Sequence, residues 1–188
     1  MISKTLLKQT IKSNIALWLV LTGVQVFALG SSVAAGGLPV SMTGLAFYGL
    51  FPGLITAVYI VVTSNKIIAA QVDKGTMAYI LSTPIKRSKV AVTQTAFLVG
   101  SLVIMYAITA ITHIIANYIG IGGITANDLG KILLLNLGMI VLDLAISGIC
   151  FLSSCVFNLS KYVIAVGGGL VGTFTLLNMM GMFGNTFS

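Results

Sequence analysis

The chain has 188 residues, with ten Lys and Arg, three Asp, one His and no Glu, a net charge of +7 and a mean hydropathy of +1.10. Charged residues make up 7% of it, against roughly 25% in soluble domains, too few to clothe a water-facing surface. The same composition argues against a metal-hydrolase site, which needs several His and carboxylate ligands, and no GxxxxGK[ST] loop is present to cradle ATP phosphates.

In chain order, residues 1–13 come first. Lys4, Lys8 and Lys12 share one helical face while Ile2, Leu6 and Leu7 lie elsewhere, which reads as a short amphipathic helix on the membrane surface or as a basic terminal flank. From Ser13 to Asn65 there is no charged residue. As one straight helix that stretch would be about 80 Å long, against a hydrocarbon core of about 30 Å, so it must fold back as two spans. They are expected over about 14–35 and 42–64, with a turn at Gly36-Gly37-Leu38-Pro39 between them and a kink at Pro52. Residues 65–90 form the one substantial polar loop. Span three is expected over about 91–118. A glycine-rich stretch from Gly120 to Gly123 leads to Asp128 and Lys131. Span four follows over about 132–156, a turn at Asn158-Leu159-Ser160-Lys161, and span five over about 162–183. The whole chain, 1–188, is thus expected to be a single all-α domain, a polytopic transmembrane helical bundle of about five spans.

Orientation follows from the basic residues. Lys4, Lys8, Lys12, Lys66, Lys74, Lys86, Arg87, Lys89 and Lys161 fall on one side of the expected spans, and Lys131 alone on the other. The positive-inside rule then predicts a multi-pass plasma-membrane protein with its N-terminus and the 65–90 loop in the cytoplasm. Basic residues placed this way are topology signals rather than a nucleic-acid footprint, and no nucleic-acid partner is expected. Cys150 and Cys155 lie on one expected helix, on different faces, and cannot pair with each other.

The 65–90 loop carries most of the information. Gly75 is placed to break a helix and Thr76 to cap the next one. Met77, Ile80 and Leu81 share a helical face, and Thr83-Pro84 reads as a cap followed by proline at the first helical position. Short helices with apolar and basic faces would suit protein docking, or rest on lipid headgroups drawn by Lys86, Arg87 and Lys89. The run Asp73, Gly75-Thr76, Ile80-Leu81-Ser82, Pro84 and Arg87 resembles the signature between the second and third spans of type 2 ATP-binding-cassette transporter permeases. The resemblance implies a permease subunit of an exporter, paired with itself or with a second permease subunit. A separate cytoplasmic ATP-binding subunit would dock through Asp73, Gly75, Thr76, Pro84, Lys86 and Arg87. This chain would then be no enzyme and would hold no cofactor, ATP being bound and hydrolysed on the partner. Gln71 stands where the family often has a glutamate. Family members have six spans, so five imply a member lacking the last.

Inside the expected spans, Asp143 is the only carboxylate, near the bilayer middle, where a charge costs at least ~3 kcal/mol on insertion scales. Asn136, Asp143, Ser147, Cys150, Ser154 and Asn158 line one face of span four. Such a seam faces a bundle interior, either holding helices together or lining a translocation path. It also supports an alternative function, a small channel or proton-coupled carrier using Asp143. His113, alone near the outer end of span three, reads as a packing residue. Gly168 and Gly172 form a GxxxG that lets another helix approach closely.

Overall fold

The computed structural model describes residues 3–34, 48, 51–75, 87–157 and 159–184. Among them there is no strand. Helix α1 spans Lys4–Ala34. Helix α2, Phe51–Ser64, continues without a break through a π-helical turn, Asn65–Ala69, into α3, Ala70–Asp73. Helices α4, Arg87–Ile121, α5, Ala126–Val156, and α6, Ser160–Gly184, complete the order. Among the described residues four stretches are long and apolar enough to cross a bilayer: Lys4–Val33, Gly53–Asp73, Arg87–Gly120 and Ala126–Val156. The fifth expected span coincides with α6, 25 residues whose only charge is Lys161.

Two boundaries depart from the sequence reading. Residues 4–13, expected as a separate surface helix, are continuous with the first span. Neither Gly nor Pro interrupts the chain there. Leu6, Thr10 and Asn14 are buried on the bundle, so this segment gains more by packing than by lying alone. Residues 65–73, expected as loop, continue the α2 rod, and Ile67, Ile68 and Ala69 of the π turn are buried. The turn at 36–39 and the residues before Pro52, where its kink would show, lie outside the described residues.

Side-chain pairing gives the helix directions. Ser3 N donates to Thr93 Oγ1 at 3.0 Å, Trp18 Nε1 donates to Ser101 O at 3.0 Å, and Gly30 lies against Thr112. The residue numbers rise together, so α1 and α4 run parallel. Against α4, α2 runs antiparallel: Tyr59 meets Ser101 and Thr56 meets Tyr106, and Tyr48, ahead of α2 in the chain, meets His113. Helix α5 follows α2's direction, with Asn136 at Tyr48 and Met139 at Gly53. A short turn after Val156 reverses the chain into α6.

This alternation brings Lys4, Lys8, Lys12, Lys66, Lys74, Arg87, Lys89 and Lys161 to one end of the bundle and Lys131 to the other. At the lone-lysine end, Gly122 turns the chain at φ 79°, and the Thr125 side chain caps α5 by accepting from Asp128 N. Core layers stack along the axis. Ile67, Ile68 and Phe97 fill the cationic end; Tyr59, Ile60, Leu98, Leu102, Ile146 and Cys150 the middle; Leu29, Val33, Tyr48 and Ala116 the far end. The stretch from α2 to α3 contributes to the cationic and middle layers and is the most buried of the four spanning stretches. It is the central rod of the bundle.

Candidate functional site

The polar face of α5 points inward. Asn136, Asp143, Ser147, Cys150 and Ser154 are all buried; Asn158 lies outside the described residues. Ser147 and Ser154 donate back to carbonyls of their own helix, Leu144 O and Cys150 O. They are satisfied locally and reach no other helix by these bonds. Asn136 and Asp143 do reach across.

Asp143, 1% exposed, accepts through Oδ2 from Tyr106 Oη of α4 at 2.6 Å. Tyr106 Oη also lies 3.1 Å from Thr56 Oγ1 of α2. Toward the far end, Asn136 Nδ2 donates both to Tyr48 Oη at 3.0 Å and to Ile132 O at 2.8 Å. Tyr48 Oη in turn sits 3.1 Å from His113 Nδ1. Helices α2, α4 and α5 therefore meet at one polar node, Thr56–Tyr106–Asp143, and Tyr48 joins α4 and α5 at a second, Tyr48–His113–Asn136. Tyr48, Thr56 and Tyr106 were not legible as site residues, because Tyr and Thr are unremarkable inside apolar helices and only the helix pairing turns them inward.

The nodes are incompletely bonded. Asp143 Oδ1, Asn136 Oδ1, His113 Nε2 and Asn117 Oδ1 are buried without a hydrogen-bond partner. So are both amide atoms of Gln25, on a residue of α1 that is fully buried. In hydrocarbon no bulk water satisfies such groups, and each costs on the order of 1–3 kcal/mol.

The second feature lies at the cationic end. The α2 rod leaves the core at Val72, and Asp73, Lys74 and Gly75 are exposed. Gly75 has φ 70°, the left-handed region that an L side chain rarely adopts. It ends the rod by the device expected of it. Arg87, the first residue of α4, is exposed as well. Thr76, Pro84 and Lys86 lie outside the described residues.

The glycine pair of span five is turned outward: a Cβ at Gly168 or Gly172 would meet nothing within 4 Å. The close approach is at Gly167, where a Cβ would come within 3.0 Å of Val61 Cγ2 and 3.4 Å of Cys150 Sγ. Three consecutive glycines at 167–169 made the spacing ambiguous. Among the described residues no group of His, Cys and carboxylates is arranged to hold a metal. No protein-family model, curated protein or solved structure matches the chain.

Proposed function

We propose that the chain is the membrane-spanning permease subunit of an ATP-driven transporter, an exporter that works as a dimer. A separate cytoplasmic ATP-binding subunit docks on residues 65–90 and supplies the hydrolysis; this chain holds no nucleotide. The observation that carries the reading is that one rod joins the two features. Helix α2 contributes Thr56 to one polar node and continues into the exposed Asp73–Gly75 turn, and Tyr48, which precedes it in the chain, belongs to the other node. Closure of an ATPase dimer against that turn would drive the rod along its axis. Thr56 would then slide past Tyr106 and Asp143, which sit on α4 and α5. The unbonded atoms of the nodes find water or substrate when the seam opens, a two-state arrangement of the kind alternating access requires. The cationic end faces the cytoplasm of a plasma membrane on this reading.

The test is recovery of the ATP-binding subunit encoded by a neighbouring gene, by gentle detergent pull-down on the full chain. Wild type should recover it. Gly75→Val and Arg87→Ala should recover at most a small fraction, with the chain still inserted, since both positions lie outside the apolar core. Equal recovery by all three, or none by wild type, overturns the reading.

The Tyr106–Asp143 pair favours a second reading, a proton-coupled carrier in which the carboxyl loads and releases a proton. Flux into vesicles containing the chain alone, driven by a proton gradient and abolished by Asp143→Asn, would select it over the first.

A further inference from the structure

A groove of about 340 Å³ runs along the outside of the bundle between α1 and α4. Leu7, Ile11, Ile15 and Trp18 form one wall, and Phe97 and Gly100 part of the other. The walls are almost wholly apolar. Trp18 fixes the inner end by donating Nε1 to Ser101 O. From Leu7 to Trp18 the groove extends about 16 Å along α1, close to the depth of one leaflet, half of the roughly 30 Å core.

The mouth is cationic. On the helical wheel Lys4 and Lys8 fall on the face of α1 that carries Ile11 and Ile15. Lys89 precedes Ala96, another wall residue, by seven positions, on the same face of α4. Lys4 and Lys8 are exposed and Lys89 half-buried. Neither helix contains a single Asp or Glu. The one ion pair found among the described residues, Lys131–Asp128, is at the opposite end. The protein therefore presents three ammonium groups at the top of an acyl-sized recess and supplies no carboxylate from either wall.

We propose that this groove is a binding site for an anionic phospholipid, with one acyl chain along α1 and α4 and the phosphate between Lys4, Lys8 and Lys89. Charge complementarity selects this occupant over a second copy of the chain, which would bring its own lysines against these. A cluster of lysines just outside a span attracts anionic headgroups at about 1 kcal/mol each, and the recess adds to this a seat that a flat helix face lacks. The inference is independent of the ATPase reading; it needs only the bundle and its cationic end.

The experiment is native mass spectrometry of the full chain in detergent, titrated separately with phosphatidylglycerol and phosphatidylcholine. Wild type should retain one phosphatidylglycerol at least about tenfold more tightly than phosphatidylcholine, ~1.4 kcal/mol. Gly100 offers a clean plug: a Cβ there meets nothing within 4 Å, so Gly100→Leu fills the groove without disturbing helix packing. It should abolish the tight site while leaving the lysines in place. The triple variant Lys4→Gln, Lys8→Gln, Lys89→Gln should bring the two lipids to equal affinity, and Lys131→Gln at the far end should change nothing. Helix content by circular dichroism confirms that each variant is folded. Equal retention of both lipids by wild type overturns the proposal, as does undiminished phosphatidylglycerol binding by either the folded Gly100→Leu protein or the folded triple variant.

Discussion

Tyr106 gives its phenolic hydroxyl to Asp143 across the α4–α5 interface at 2.6 Å, a short bond to the only carboxylate of the bundle interior. Its other oxygen has no partner. Removing the donor takes from the buried carboxyl its short hydroxyl bond, and a lost bond at a buried group costs on the order of 1–3 kcal/mol. Tyr106→Phe should therefore lower the thermal midpoint of the protein in detergent clearly. Asp143→Leu, which removes the polar group itself, should cost less than its buried position alone suggests. A Tyr106→Phe protein that melts with wild type would show that the bond carries no stability.

Gln25 gives the opposite expectation. Both atoms of its amide are buried and unpartnered, so an apolar side chain of similar volume removes a desolvation cost rather than a bond. Gln25→Leu should raise the midpoint in detergent. A lower midpoint would mean that the amide is bonded to something beyond this chain.

At α6 the packing argument separates neighbouring glycines. Gly167→Leu drives a side chain into Val61, whose Cγ2 is already 3.0 Å from where a Cβ would stand, and overpacking of this kind costs about 1–3 kcal/mol. At Gly168 and Gly172 a Cβ would meet nothing within 4 Å among the described residues, and Gly168→Leu and Gly172→Leu should leave the isolated fold intact. If size-exclusion chromatography shows that Gly172→Leu also leaves the oligomeric state unchanged, no second helix packs on that face.

Orientation is testable without reference to function. In a background lacking Cys155, which is exposed, a cysteine at Ser88 should resist an impermeant thiol reagent applied to intact cells. One at Thr125 should label. Both positions are exposed, so burial does not confound the comparison, and the reverse pattern would place the cationic end outside.

How much of this was legible beforehand depends on the kind of signal. The inward face of α5 was readable because Asn136, Asp143, Ser147 and Ser154 recur at helical spacing among residues that otherwise favour lipid. Their partners were not, because a wheel describes one helix and says nothing of which helix lies opposite. Tyr48 and Tyr106 become site residues only once α2 and α4 are known to run antiparallel in that register. The end of the α2 rod was readable in part. Gly75 marks the break, yet Ile67 and Ile68 read as loop because they follow Lys66, and only their burial against Phe97 shows them to be core.

The parallel pairing of α1 with α4 has a consequence for biogenesis. Thr10 of α1 bonds Gln94, and Trp18 bonds Ser101, partners that lie more than eighty residues downstream. At ribosomal speeds of about 5–20 residues per second, α1 waits roughly 4–16 s before α4 is synthesised. During that interval its polar stripe, Thr10, Asn14, Thr22 and Gln25, has no helix of this chain to face except α2. An unassembled first helix with such a stripe is a substrate for an insertase or intramembrane chaperone that shields polar surface, and for a quality-control protease if assembly stalls. Ribosome pausing engineered between α2 and α4 would lengthen the exposure and should lower the yield of folded protein more than the same pause placed after α4.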